Sequence, residues 1–275
     1  ACDANLLTFQ RLAEFFHVPV FSIDVPSGQT SENVAYVAAQ LRALRGFLEQ
    51  TTGHQIDEGR LVQRVKRGYK TLQQFDAFQS ARADRFIPSD LVSPLYSGMT
   101  NNILLGTEEE ALYTEKLLQD VKKAPPKKGK HIYWMHTLPF WSDAVKDALL
   151  LNDDAQIVGC ELSQATDISR YSEDPYEEMA MRLIYHALNG PISRRINAGI
   201  RHAKQAGADG VVWFNHWGCK HTLGGSRIAK KCFEEAGLPT LILDGDGCDR
   251  SHGGEGQTST RLGAFLEMLG DFAHE

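Results

Sequence analysis

The chain has 275 residues, of which 42% are hydrophobic and 23% are charged, and its formal net charge is −6. These values describe a globular protein long enough for one large or two modest cores, and they exclude a fibrous or disordered chain. The net negative charge argues against nucleic acid as the main partner, and so does the lack of a cluster of basic residues interleaved with aromatic ones. No apolar run approaches the roughly 18 residues of a membrane span and no charged-then-apolar leader opens the chain, so we expect a soluble, cytoplasmic protein.

The first predicted elements are a helix that runs to Phe16 and an apolar stretch at 17–24, which is closed by Pro-Ser-Gly. Such a stretch predicts a buried strand followed by a loop that faces a ligand. We therefore assign 1–28 to the end of a first Rossmann-like domain. Because the chain opens without an initiator methionine, we expect the rest of that domain upstream.

Amphipathic helices follow. Apolar residues at three- and four-residue steps predict three of them, over 34–48, 61–72 and 108–121. Gly53 ends the first, and the run 124–130 mixes proline, glycine and lysine as a linker does. We assign 29–125 to a helical connecting region and 126–275 to a second Rossmann-like domain.

The second domain alternates apolar runs with helical patterns. The runs lie at 131–136, 156–161, 210–214 and 240–244. This alternation predicts right-handed crossovers and a parallel sheet covered on both faces. The predicted fold class is therefore α/β, with a Rossmann-like (flavodoxin-like) parallel-sheet domain at the C-terminus.

Ligands of such sheets bind beyond the carboxyl ends of the strands, and reactive side chains follow these strands. They are His136, Glu161, Asn215, His216, Cys219, Lys220, Asp244, Asp246 and Cys248. The thiol of Cys219 has Lys220 beside it and His216 three residues before it. This setting favours the thiolate, which is both a nucleophile and a metal ligand.

The loop at 245–257 is rich in glycine and leads into a helix expected to begin near Thr258. Glycines let backbone amides approach a ligand, and a helix N-terminus favours anions, so the loop is a candidate site for a phosphate or a thioester carbonyl. An ordinary flexible loop with a capped helix is the equal alternative. The loop matches neither the dinucleotide-binding nor the phosphate-loop motif.

Five widely spaced cysteines, with no Cys-x-x-Cys pair, favour reduced thiols over a disulfide framework. Cys232 lies on an apolar helical face and Cys160 in an apolar strand, so we expect both to pack in the core. Cys248 lies among aspartates, which disfavour a thiolate, and we interpret it as structural or incidental. Cys2 and Cys219 remain as candidate ligands or nucleophiles.

Several motifs in fixed order resemble the 2-hydroxyacyl-CoA dehydratase and benzoyl-CoA reductase family, with a subunit of the D-component type. They include Ala-Cys-Asp at 1–3 and His-Trp-Gly-Cys-Lys at 216–220, with further motifs at 19–26, 36–41, 175–180, 243–246, 256–261 and 264–267. The resemblance spans almost the whole chain. It implies substrate-binding roles for Gly254, Gln257, Thr260 and Arg261.

This resemblance also implies one four-iron four-sulfur (4Fe-4S) cluster per subunit, held by two cysteines of the first domain and one of the second. Cys2 matches the later cysteine of the first domain and Cys219 matches that of the second. The earlier cysteine is expected upstream of this chain. If the chain is not truncated, Cys160 or Cys248 is the candidate replacement.

The implied reaction is a radical elimination of water from an (R)-2-hydroxyacyl-CoA through a ketyl radical, started by an electron from an ATP-dependent iron–sulfur activator. The resemblance further implies a companion subunit of the same family. We assign His216 and Lys220 as groups that hydrogen-bond near the cluster and tune its potential.

Other function classes remain open at this point. A cysteine-dependent hydrolase or transferase would pair Cys219 with His216 or His136, although no orienting acid is evident. A non-catalytic partner subunit is a second alternative. Within the family, the sequence does not separate the dehydratase from a benzoyl-CoA reductase-type or double-cluster reductase subunit.

Overall fold

The fold is seen in a computed structural model that describes residues 3–164, 166–252 and 254–271. Helices occupy the first half of the chain, and strands alternate with helices in the second. The strands are β1 (Lys130–Met135), β2 (Ala155–Cys160), β3 (Gly210–His216) and β4 (Thr240–Gly245). The predicted α/β class is confirmed, and so are the four strands predicted for the second domain.

The helices begin and end largely where local sequence signals place them. They are α1 (Asp3–Phe16), α2 (Ser31–Thr52), α3 (Glu58–Arg82), α4 (Ser93–Met99), α5 (Glu108–Val121), α6 (Asp143–Leu149), α7 (Glu161–Gln164), α8 (Pro175–Ile184), α9 (Ile192–Gln205), α10 (Lys220–Glu235) and α11 (Glu255–Asp271). The hydroxyl of Thr30 caps α2, and Gly53, with φ of 72°, ends it as predicted. Among the described residues, no helix has the length and apolar character needed to cross a membrane.

The strands form one parallel sheet in the order β2-β1-β3-β4. The chain leaves β1 toward β2 on one side and returns to place β3 on the other. The order therefore reverses between β1 and β3, and a crevice opens there beyond their carboxyl ends. This topology is the flavodoxin-like arrangement that the strand–helix alternation predicts.

Both faces of the sheet are buried, which explains why the strands read as continuous apolar runs. Along β1, Ile132 and Trp134 point to one face and pack with α6 and α11. Tyr133 and Met135 point to the other face and pack with α9 and α10. Two apolar layers thus enclose the sheet and fix its strand ends.

The helical region packs on the second domain. Side chains of α2 and α8 share one buried cluster: Val37, Ala38, Leu41, Tyr176, Ala180 and Ile184. The division into 29–125 and 126–275 stays a prediction, since these two segments are joined by a common core.

The segment at 17–24 differs from the strand expected there. It forms no strand within the described ranges, and the backbone N–H and C=O of Asp24 instead bond to the side chain of Gln40 at 2.8 and 2.9 Å. A strand needs a neighbour to accept its ladder of hydrogen bonds, and the described residues offer none here. The assignment of 1–28 to a first domain stays a prediction.

Candidate functional site

The candidate site lies at the carboxyl ends of β1, β3 and β4, where the strand order reverses. His136 follows β1, His216 ends β3, and Asp246 follows β4. The rings of His136 and His216 lie nearly parallel, with centroids 6.1 Å apart. Two imidazoles therefore face each other across the crevice that the topology creates.

His216 is oriented by the loop that follows β4. Its Nδ1 accepts a hydrogen bond from the backbone N–H of Gly247 at 3.0 Å, while Oδ1 of Asp246 lies 3.6 Å from the same atom. The shorter contact fixes Nδ1 as an acceptor, so the proton of the neutral ring sits on Nε2. The backbone at Gly218 passes close by, because a Cβ there would lie 3.1 Å from Nε2.

Asp246 organises the loop after β4. Its Oδ1 accepts hydrogen bonds from the backbone N–H groups of Cys248 and Asp249 at 2.9 and 3.1 Å, and its Oδ2 lies 3.3 Å from Nδ1 of His252. These bonds, those from the backbone first, lower the pKa of Asp246 to about 2. The side chain is therefore a fixed anion next to His216.

One nitrogen, one oxygen and one sulfur donor meet in this loop. A ligand atom from each of His216, Asp246 and Cys248 lies within 4.8 Å of the others. This mixed donor set suits a borderline metal such as zinc or iron. The structure thus brings Cys248, interpreted from the sequence as structural or incidental, beside the predicted site residue His216.

Cys219 occupies the N-cap of α10, and Lys220 is the first residue of that helix. The backbone N–H of Cys219 donates to the carbonyl of His216 at 2.9 Å, and its carbonyl accepts from the hydroxyl of Thr222 at 3.1 Å. Its side chain is a partly buried free thiol. Cys219, Lys220 and His216 are thus held in one tight turn at the end of β3, as the sequence predicts.

His136 has an unusual backbone that a buried ion pair supports. Its φ is +75°, a left-handed conformation that is costly for a residue with a side chain. Its N–H donates to Oε2 of Glu161 at 3.0 Å. Arg195 donates two hydrogen bonds to the same carboxylate, at 2.5 and 2.6 Å. The side chains of Glu161 and Arg195 are each 4% exposed.

The ring of His136 is held neutral. Burial is the largest cause that lowers its pKa to about 3, followed by the positive charge of Arg195 and by His216. The hydroxyl of Thr137 lies 3.1 Å from its Nδ1. His136 therefore serves as a neutral hydrogen-bonding group at physiological pH.

Sequence reasoning missed Arg195 as a site residue. It lies under the site, with its guanidinium 4.9 Å from the ring centre of Trp213. One signal was present: Arg195 follows Ile192 by three residues and precedes Gly199 by four, which puts it on the buried stripe of α9. A buried arginine needs a buried anion, and only the fold brings Glu161 to it.

The four predicted substrate-binding residues lie at the start of α11, beside β4. Thr260 bonds within its own helix, to the carbonyl of Gly256 at 2.9 Å. Arg261 donates to the carbonyl of Ile242 at 2.5 Å and lies 3.6 Å from Asp244, so it ties α11 to β4. The two others are exposed: Gly254 and Gln257. Their substrate contacts stay predictions.

The remaining cysteines divide as follows. Cys160 is fully buried at the end of β2, and burial raises the pKa of its thiol to about 12. Cys232 packs against the apolar layer between the sheet and α10. Both observations agree with the packing roles expected from the sequence. Cys2 lies outside the described residues, and its predicted ligand role stays a prediction.

Comparison with known proteins gives two matches. The family model described as 2-hydroxyglutaryl-CoA dehydratase, D-component, matches residues 1–269. The chain is 21% identical over 285 residues to the (R)-phenyllactyl-CoA dehydratase alpha subunit of Clostridium sporogenes, covering 98% of this chain and 68% of that protein. Both matches include the helical region and every strand of the sheet.

Proposed function

Because the chain belongs to the 2-hydroxyglutaryl-CoA dehydratase D-component family, we propose that it is the iron–sulfur subunit of an (R)-2-hydroxyacyl-CoA dehydratase. Membership in this family supports a lyase role, in which water is eliminated from a CoA thioester. The observation that carries the proposal is the family match over residues 1–269. The positions of His136, His216 and Cys219 at the ends of the parallel strands support it.

The cysteines that follow the strand ends are of the residue type that binds an iron–sulfur cluster, and they could supply part of its ligands. Thiolates are the ligands of such clusters, and Cys219 and Cys248 follow the neighbouring strands β3 and β4. Cys160 is a poor replacement ligand because burial keeps it a thiol. We propose Cys219 as the ligand from the second domain, together with Cys2 and a cysteine upstream. A bound cluster supplies single electrons for reduction of the substrate's thioester carbonyl.

The chain's own residues bind and orient groups at this site. His216 presents an Nε2 proton beside the turn that carries Cys219, so it is placed to donate a hydrogen bond there. Lys220 adds a positive charge one residue after the thiol. We propose that these donors stabilise negative charge near Cys219, on a cluster sulfide or on the substrate oxygen.

The acyl-CoA is proposed to bind along the start of α11. Gly254 and Gln257 are exposed beside the first turn of this helix, whose amides favour negative groups. Thr260 lies one turn further along. Arg261 is proposed to act mainly by positioning, since it joins α11 to β4.

The partners follow from the same proposal. The relative from Clostridium sporogenes is described as an alpha subunit, and this supports the proposal of a companion subunit for this chain. An ATP-dependent iron–sulfur activator is proposed as the electron donor. A benzoyl-CoA reductase-type activity is the alternative within this wider family.

Metal analysis tests the proposal. The full-length protein, including the upstream cysteine that the proposal requires, is purified without oxygen, and its iron and sulfide are measured together with its visible absorption. We expect Cys219→Ser to lose most of the iron, and Cys232→Ser to keep it because that thiol packs on the apolar layer below α10. Unchanged iron in Cys219→Ser would contradict the ligand assignment, and an iron-free wild-type protein would contradict the iron–sulfur function.

A further inference from the structure

A cavity lies at the β2 edge of the sheet, opposite to the edge that is formed by β4. It has a volume of about 400 Å³ and is enclosed by α3, α4, α5 and the outer edge of β2. Because β1 separates β2 from β3, the cavity is distinct from the crevice that holds His216. Its volume falls within the range of pockets that bind small molecules.

The cavity contains a buried cation. Arg82, on the last turn of α3, is 9% exposed and lines the cavity wall. One guanidinium nitrogen, Nη2, donates to the carbonyl of Ile157 at 2.9 Å, whereas Nε has no partner among the described residues. Burial lowers the pKa of Arg82 to about 10, which still leaves the group charged at neutral pH.

Both carboxylates that line the cavity are already engaged, and that of Asp120 is exposed and lies 3.4 Å from Nζ of Lys123. Asp90 also lines the cavity, and its charge acts on Arg82 from a distance. Its oxygens accept hydrogen bonds from the backbone of Val92 and from both donors of Ser93, at 3.1, 2.7 and 2.7 Å. They hold the start of α4, and among the described residues no hydrogen bond joins Asp90 to the guanidinium.

Two further buried polar groups share this wall. Oε1 of Gln79 and the hydroxyl of Ser89 have no hydrogen-bond partner within the described residues, and these residues are 3% and 4% exposed. Leaving such a group buried and unpaired is unfavourable, because it has lost its hydrogen bonds to water. The Ser89 hydroxyl can donate to an anion, and the Gln79 amide can present its oxygen or its NH₂. Three residues that line one cavity thus each carry a buried polar atom without a partner among the described residues, which favours a polar ligand there.

The rest of the wall is apolar and aromatic. It is formed by Phe78, Phe86, Tyr113, Leu117 and Val121. Arg82 lies 5.7 Å from the ring centre of Phe78, which holds the guanidinium against this surface. The cavity therefore offers one cationic end and one aromatic body.

We propose that this cavity binds a small carboxylic acid with an aromatic or branched apolar body, whose carboxylate pairs with Arg82 and Ser89. Guanidinium and carboxylate match in charge and in planar geometry, and the apolar wall takes the rest of the molecule. This site is independent of the dehydratase function proposed for the strand ends.

Titration calorimetry of the full chain with 3-phenylpropanoate and with its uncharged amide, 3-phenylpropanamide, tests the proposal. We expect saturable binding of the acid and affinity for the amide weaker by about tenfold or more, the usual effect of losing a charged hydrogen bond. No saturable binding of the acid, or equal binding of the two compounds, would overturn the proposal.

Variants locate the binding. Arg82→Met should weaken binding of 3-phenylpropanoate by about 10- to 100-fold. The matched control is Arg64→Met, an exposed arginine on the same helix, which should bind as the wild type does. If Arg82→Met does not fold, Ser97→Leu decides: Ser97 lines the cavity away from α3, and filling the space should abolish binding with the melting temperature retained. Wild-type affinity in Arg82→Met or in Ser97→Leu contradicts the assignment.

Discussion

At the residue scale, the site depends on a strained backbone that a buried ion pair holds in place. The left-handed conformation of His136 costs of order 1–3 kcal/mol and persists only when its surroundings enforce it. Glu161 supplies that support by accepting the N–H of His136, and Arg195 neutralises Glu161. The position of one imidazole at the crevice therefore depends on an arginine from α9 below it.

We predict that Arg195→Met destabilises the chain by about 3–5 kcal/mol, because it leaves the carboxylate of Glu161 buried and unpaired. Urea unfolding measures this loss. The double variant Arg195→Met/Glu161→Gln should recover a large part of it, since glutamine still accepts the N–H of His136 without a charge. The control Arg11→Met removes an exposed pair and should leave the stability unchanged. A double variant less stable than the single one would contradict this account.

The sequence predicted part of this site for a physical reason. Cys219, Lys220 and His216 follow an apolar run, and the carboxyl end of a buried parallel strand is where ligands bind. The anchoring of His136 could not be predicted, because Glu161 and Arg195 meet only after β2 and α9 have packed. Contacts between distant segments of the chain leave no local pattern.

At the scale of elements, the position of each strand end depends on close approach between layers. Gly199 of α9 faces the sheet, and a Cβ there would lie 2.8 Å from Phe233 and 2.9 Å from Met135. Gly46 of α2 is also helical, and a Cβ there would meet nothing within 4 Å. The two glycines therefore separate the effect of packing from that of helix propensity.

We predict opposite changes for alanine at these positions. Gly46→Ala should stabilise the chain by about 0.5–1 kcal/mol through helix propensity. Gly199→Ala should destabilise it by about 1–3 kcal/mol, because the added methyl overpacks the contact between α9 and the sheet. Urea unfolding of both variants tests this, and a Gly199→Ala variant as stable as Gly46→Ala would contradict the packing argument.

The ends of elements were predicted less well than their existence. The apolar run predicted a strand ending at residue 214, but β3 continues because Asn215 and His216 pair with Asp244 and Gly245 of β4. The helix expected near Thr258 begins at Glu255, whose carboxylate reaches the start of α6. In both cases a neighbouring element extends the pattern beyond its local signal.

At the scale of the whole molecule, the helical region protects one edge of the sheet. An exposed edge strand invites pairing with other chains. Beside β2, Arg82 bonds to the carbonyl of Ile157, and the backbone N–H of Ile87 donates to the side chain of Gln156. Residues from the first half of the chain thus cover the β2 edge of the sheet. The buried interior therefore extends across the domain boundary predicted between residues 125 and 126.

This extensive burial includes titratable groups whose pKa values set the dependence of stability on pH. Burial is the main cause that lowers the pKa of four histidines from 6.5 to between about 3 and 4: His131, His136, His186 and His202. The unfolded chain takes up these protons near pH 6.5, whereas the folded chain does not until about pH 4, so stability falls as the pH falls through this window. Glu110 opposes the trend, because burial raises its pKa from 4.5 to about 7, and its contribution is lost as the pH rises through 7.

Glu178 opposes the trend too, because burial also raises its pKa. Four histidines against these two glutamates leave a net difference of about two to three protons, so we predict that the free energy of unfolding falls as the pH falls from about 6.5 to 5, with a slope that reaches about 3–4 kcal/mol per pH unit near pH 5.5. Urea unfolding across this range measures the slope. His202→Gln removes one of the four groups and should reduce the slope by about 1.4 kcal/mol per pH unit. His54→Gln, at an exposed position, should leave the slope unchanged. A stability that stays constant or rises toward acid would show that the buried imidazoles are charged in the folded protein.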